Sequence, residues 1–206
     1  MRSNERSTFT ERARRTQIIE CATELVAEIG YAQTSIRKIA ERVGVAMSVV
    51  LYHFANKEEL VRAIATQGYR SAIAAIVPAL AAETTATGKL HAYIRANAAF
   101  MKSERTRFMA VLDIGLSYRS SNGERLDQVQ LDPELIEDLG ALDLAALLRA
   151  GRETGEFRAL DADSVALALR GALNGAVLEL ARDPDFDMLG YGEELVTIFD
   201  LATRGT

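Results

Sequence analysis

The chain reads as all α, with about nine helices. A three-helix helix-turn-helix domain occupies residues 1–55 and a larger helical domain occupies 56–206, with one helix from about 57 to 82 linking the two. Three observations predict this. Apolar residues recur at three- and four-residue spacings along nearly the whole chain, no stretch alternates with period two for long enough to make a sheet, and only three of 206 residues are proline.

The first helix is expected from Thr8 or Thr10 to Ile29, with Ile18, Ala22, Leu25, Val26 and Ile29 forming its apolar stripe. Thr8 with Glu11 suits a capping box and Gly30 suits a stop. Ser35 can cap a short helix ending at Val43, and Gly44 can supply the positive φ of a tight turn. A third short helix follows from about Met47 to His53. Asn56 and Glu59 then open the long helix, which contains Pro78. Further helices are predicted near 88–102, 105–118, 132–153, 162–182 and 191–204.

Residues 35–54, "SIRKIAERVGVAMSVVLYHF", pair two short helical patterns around one glycine. Ile36, Ile39, Ala40 and Val43 give the first an apolar stripe, and Val45 and Val50 supply matching positions across the turn. Short helix, glycine turn and short helix, braced by a longer preceding helix, make a helix-turn-helix unit. An αα-corner in a bundle has the same local pattern. The flanks favour the first reading: Arg37 and Lys38 open one helix, Tyr52 and His53 close the other, and Lys57 lies in the next helix's first turn. A lysine there opposes the helix dipole unless an anion is present, although Glu58 and Glu59 beside it suit the dipole.

Charge is divided unevenly. The net charge is −5, made of +2 over residues 1–62 and −7 beyond. A mildly basic head on an acidic body fits selective rather than indiscriminate contact with nucleic acid. With one cysteine, Cys21, no internal disulfide is possible. The longest uninterrupted apolar run, "AIAAIVPALAA", is too short to span a membrane, and no apolar block follows the N-terminal charges, so a cytoplasmic protein is expected. Two histidines, one cysteine, no metal-spaced cluster and no glycine-rich phosphate loop argue against an enzyme and give no reason to expect a cofactor or metal.

Taken together, "TQIIECATELVAEIGYAQTSIRKIAERVGV…LYHFANKEEL" resembles the N-terminal DNA-binding domain of the TetR (tetracycline repressor) family. The resemblance covers residues of about 10–60; beyond 65 it is one of architecture. It implies a homodimer that binds a palindromic double-stranded DNA operator and is released by a small-molecule effector, most simply a repressor. It also implies that Met47, Ser48, Leu51 and Tyr52 face bases or adjoining backbone, that Arg37 contacts a base, and that Ser35, His53 and Lys57 position phosphates. Three departures from the family pattern stand out: Ala46 where a capping Ser or Thr is common, Leu51 where tyrosine is frequent, and the β-branched pair Val49–Val50. They leave open a second reading, a helical ligand- or partner-binding protein whose head has lost operator recognition.

In the body, Leu90, Ile94, Asn97 and Met101 share one face, as do Leu167, Gly171, Asn174 and Leu178, so both asparagines fall on stripes expected to be buried. Tyr93, Asn97, Phe100, Met101, Phe108 and Asn174 are the candidate effector-binding residues, although side chains at such spacing also build ordinary cores. His91 and Arg95, four apart, suit either an anionic ligand or an exposed face. By the same resemblance the last two helices dimerise, with Gly171, Gly175, Leu178, Leu195, Ile198 and Leu201 as candidate interface residues.

Overall fold

The structure is a computed structural model that describes residues 2–120, 122–126 and 133–205, with side chains from residue 9 onward within those ranges. Among the described residues there are ten helices and no strands, only an isolated bridge between Phe157 and Arg204. The helices are α1 (Arg2–Ile29), α2 (Ile36–Val43), α3 (Met47–His53), α4 (Lys57–Ala81), α5 (Ala86–Ser103), α6 (Arg105–Ser117), α7 (Pro133–Gly140), α8 (Leu144–Glu153), α9 (Ala162–Arg182) and α10 (Met188–Thr203).

Two differences from the sequence reading have local causes. Helix α1 begins at Arg2, so Thr8 lies inside it and does not cap it; the Thr8 side chain is outside the described residues. The helix expected over 132–153 is two, α7 and α8. The chain turns at Gly140–Asp143, and Asp143 caps α8 by accepting from the amides of Ala145 and Ala146 at 2.9 and 3.1 Å.

The chain forms two compact units. The first comprises Met1–Gly68 with Thr106–Leu131, and the second Tyr69–Arg105 with Asp132–Thr206. In the first unit α1 packs on α2 and α2 on α3. Its core contains Ile18, Ala22 and Val26 from α1, Ile39 and Ala40 from α2, Val50 from α3, then Phe54, and Leu60 and Ile64 from α4. In the second unit α5 packs on α10 and α8, and α9 packs on α8 and α10. Leu90, Ile94, Leu144, Leu148, Leu169, Leu173, Val177 and Phe199 fill it.

Helix α9 is, by length and composition alone, apolar enough to cross a membrane. Arg170 and Asn174 interrupt its apolar run. Its apolar residues form two stripes. Ala166, Leu169, Leu173, Val177 and Leu180 are buried in the unit, whereas Leu167 and Leu178 are 69% and 47% exposed. The stripe holding Asn174 is therefore the outward one, contrary to expectation. Periodicity detects a stripe without telling which of two faces inward. Asn97 is buried, and its Nδ2 donates to the Tyr93 carbonyl oxygen at 2.7 Å.

The α5–α10 contact is close. A Cβ at Gly192 would lie 2.9 Å from the Ala98 Cβ, so Gly192→Val should destabilise the protein by about 1–3 kcal/mol, read from urea unfolding. His91 Nε2 lies 3.1 Å from Asp200 Oδ1, and the Arg95 fork meets the Glu193 carboxylate at 2.7 and 2.8 Å. Both candidate anion contacts on α5 therefore face carboxylates of α10. Burial opposes the Asp200 charge, but Arg204 and His91 outweigh it and hold this carboxyl below its usual range. A carboxyl lowered on folding stabilises fully above its unfolded value, near pH 4, and loses that contribution as pH falls through the lowered one. Asp200→Asn should accordingly flatten the fall of the unfolding midpoint below about pH 4, measured by acid titration of thermal unfolding.

Candidate nucleic-acid interface

Ser35 starts the motif. Its hydroxyl accepts from the Lys38 amide at 3.2 Å, satisfying a donor that the first turn of α2 leaves unpaired. Gly44 ends α2 in the left-handed region at φ +77°, its N–H donating to the Ala40 and Glu41 carbonyl oxygens at 3.0 and 3.2 Å. The chain re-enters helix at Met47 without a side-chain cap, because Ala46 offers no acceptor. Asn56 Oδ1 then accepts from the Glu59 amide, and the Glu59 carboxylate accepts from the Ala55 amide one residue before the cap, so two side chains hold the start of α4.

Two residues anchor α3. Val50 and Phe54 are each fully buried, while the Arg15 guanidinium of α1 stands 4.6 Å from the centre of the Phe54 ring. The same helix exposes Met47, Leu51 and Tyr52 at 50%, 40% and 72%, with Ser48 also exposed. Positions 47, 48, 51 and 52 share one face, as i, i+1, i+4 and i+5 must. The structure thus gathers four of the predicted residues on one outward surface that is largely apolar.

The predicted polar residues divide. Arg37, highly exposed, donates from Nε to Glu41 Oε1 at 2.8 Å one turn on. The Tyr52 hydroxyl donates to Glu11 Oε1 of α1 at 2.5 Å, and this bond pushes its pKa up. His53 is half-buried with its ring edge-on to Tyr52 at 5.1 Å. Lys57, expected to meet phosphate, is turned onto Tyr31. Its Nζ donates to the Tyr31 carbonyl oxygen at 2.9 Å and lies 3.8 Å from the centre of that ring, and burial lowers its pKa. A side chain that already holds a carbonyl and an aromatic face has less reason to seek an anion.

Sequence reasoning missed the parts played here by Tyr31, Asp113, Glu11 and Glu41. The Tyr31 amide donates to Asp113 Oδ2 at 2.5 Å, and its ring meets Tyr118 edge-on at 5.9 Å. Glu41 is legible as an i, i+4 partner of Arg37. Glu11 lies 41 residues from Tyr52 and Asp113 82 from Tyr31, and no local pattern links such pairs.

Residues 18–64, which hold α2, α3 and the cap of α4 but neither Glu11 nor Arg15, match the family model for bacterial regulatory proteins of the tetR family. That segment is a TetR-type head. It is 25% identical over 185 residues to the fatty acid metabolism regulator protein of Bacillus subtilis strain 168, covering 88% of this chain and 91% of that protein. PfmR, a TetR family transcriptional regulator from Thermus thermophilus, shares the fold at a TM-score of 0.66 and 26% identity over 92% of this chain and 95% of its own. FadR from Bacillus subtilis, in complex with stearoyl-CoA, does so at 0.66 and 21% over 89% and 96%. These likenesses are to regulatory proteins.

The second unit holds a cavity of about 520 Å³, with Val77, Leu80, Ala146, Leu147 and Ala150 as apolar lining and Glu83, Lys89, Asp143 and Glu156 as polar lining. Glu156 accepts from the Ala86 and Thr87 amides at 3.0 and 3.1 Å, and these bonds hold its carboxyl below the usual range. None of the candidate effector residues lines this cavity. Tyr93, Asn97, Phe100 and Met101 are buried, Asn174 is half-buried on the outward stripe of α9, and Phe108 belongs to the first unit. Of the candidate dimer residues, Gly171, Gly175, Leu178, Ile198 and Leu201 are exposed. Leu195 is the exception and a correction: at 3% exposure it belongs to the unit's own core, one step around α10 from the outward face of Ile198 and Leu201.

If α3 is held only by its anchors, Phe54→Ala should cost about 3–5 kcal/mol and unfold the head first, whereas Leu51→Ala should leave stability within about 0.5 kcal/mol. Amide hydrogen exchange across residues 36–64 separates the two.

Proposed function

We propose that the chain is a ligand-responsive, sequence-specific transcriptional repressor that binds a palindromic operator as a homodimer in the cytoplasm and is released by an acyl-CoA thioester. One observation carries the DNA-binding part: Met47, Leu51 and Tyr52 are exposed together on a short helix whose other face is locked into the core. Exposing large apolar groups is costly unless something covers them. A major groove suits this face, because thymine methyls and groove shape are read by apolar contact. Arg37 adds bidentate guanine recognition, and Ser35 and His53 fix the register on phosphates. Lys57 joins them only by leaving Tyr31.

The dimer is supported by the second stripe of α9. Leu167, Gly171 and Leu178 with Ile198 and Leu201 of α10 leave apolar side chains exposed outside the unit's own core. A two-fold pairing there makes the interface self-complementary and sets two recognition helices about 34–36 Å apart, or a multiple, on the operator. The effector class is supported by the fatty acid regulator relative and the stearoyl-CoA complex of FadR. Release requires that the ligand bind the non-DNA-binding conformation more tightly.

Selection from a random DNA pool tests this reading. A palindromic winner preferred over scrambled DNA by roughly a thousandfold, weakened by salt and released by long-chain acyl-CoA, is expected. Arg37→Ala should lower discrimination at one base pair of each half-site by about 1–3 kcal/mol. Absence of any enriched motif would leave the head without an operator. Release failing with acyl-CoA but succeeding with another ligand would remove the effector assignment alone.

A further inference from the structure

The contact between Tyr52 and Glu11 limits what Tyr52 can read. A phenol has one proton and two acceptor positions on its oxygen. Here the proton is committed to Glu11 Oε1 at 2.5 Å, the length of a charge-assisted O–H···O⁻ bond, while the side chain remains 72% exposed. Toward solvent the oxygen therefore presents lone pairs only. A phosphate offers acceptors and negative charge, so Tyr52 has no proton for it, and the neighbouring carboxylate repels it. Turning the hydroxyl to a phosphate would also leave Glu11 unpaired beside a polyanion. Guanine N7 and O6 and thymine O4 are acceptors as well. The donors that the major groove displays are the exocyclic amines, cytosine N4 and adenine N6.

We propose that Glu11 is a specificity-determining residue: by holding the Tyr52 proton it makes Tyr52 an acceptor that selects cytosine or adenine on the contacted strand over guanine or thymine. The inference rests on the reading that α3 enters the major groove. It also gives the N-terminal half of α1, outside the matched family segment, a share in sequence choice. Glu11 acts through Tyr52 and is a positioning residue, not itself a base contact.

The test uses the full-length protein and the sequence selected from the random pool, varied one base pair at a time. Wild type, Tyr52→Phe, Glu11→Gln and the double variant are titrated on each. One hydrogen bond gained or lost corresponds to roughly two- to tenfold in affinity. Tyr52→Phe should remove a preference of that size for cytosine or adenine at one position per half-site and leave the others unchanged. Glu11→Gln should flatten the same position, because an amide N–H donating to the phenol oxygen frees the phenol proton for acceptor bases. The double variant should do no more than Tyr52→Phe. If Glu11→Gln keeps a preference that Tyr52→Phe abolishes, Glu11 does not set it and the inference fails while the DNA-binding reading stands. An even loss of affinity across all sequences in Tyr52→Phe would mean a backbone contact and overturns it as well. If Tyr52→Phe changes nothing at any position, the Tyr52 hydroxyl contacts no base and the inference fails, while Met47, Ser48 and Leu51 still carry the DNA-binding reading.

Discussion

The burial of Val50 and Phe54 fixes where the seven residues of α3 point. A helix that short has no stability of its own in water, and Ala46 gives it no side-chain cap. What holds it is the core formed by α1, α2 and the start of α4, into which Val50 and Phe54 are fully sunk. Complete burial of a phenylalanine is worth about 1.5–3 kcal/mol, comparable to the whole cost of ordering a residue or two of backbone. Everything on the opposite face inherits its orientation from that anchor. Gly44 matters for the same reason, since its left-handed conformation sets the angle at which α3 leaves α2.

On that surface, charge is used sparingly. Arg37 and Tyr52 are each held by a carboxylate, from Glu41 and Glu11, and Lys57 is drawn onto Tyr31. Free cations would raise affinity for any phosphate backbone, and holding these groups on neighbours keeps the sequence-independent term small. The −7 over the body adds repulsion from a polyanion, which fits the proposed selective binding. Exposed surface ion pairs such as Arg37–Glu41 contribute little to stability, so their consequence lies in orientation.

Local chemistry made the head legible in the sequence. Ser35, Gly44 and Asn56 each perform the role that their residue type at that spacing requires, and Val50 follows from periodicity. The body was legible as helices but not as a site. Helix α9 has two apolar stripes, and nothing in its spacing distinguishes the one facing the core from the one left outside. Spacing alone likewise fails to say that Leu195 lies inside its unit while Asn174 sits on an outward stripe. The break at Gly140–Asp143 shows the same limit, since Asp143 reads as a cap only once the chain is known to turn there. Pairings across long separations, Glu11 with Tyr52 and Asp113 with Tyr31, are tertiary facts without a local signature.

Hydroxyl-radical footprinting of the protein, with and without its selected operator, tests whether the outward face of α3 meets DNA. Met47, Leu51 and Tyr52 are oxidisable and exposed, and Ile136 on α7, 54% exposed, serves as an internal reference. Strong protection of Met47, Leu51 and Tyr52 is expected on DNA addition, with the reactivity of Ile136 unchanged. Equal reactivity of the three residues with and without bound operator would contradict this reading, because the surface that Val50 and Phe54 hold in place would then not be the one that meets DNA.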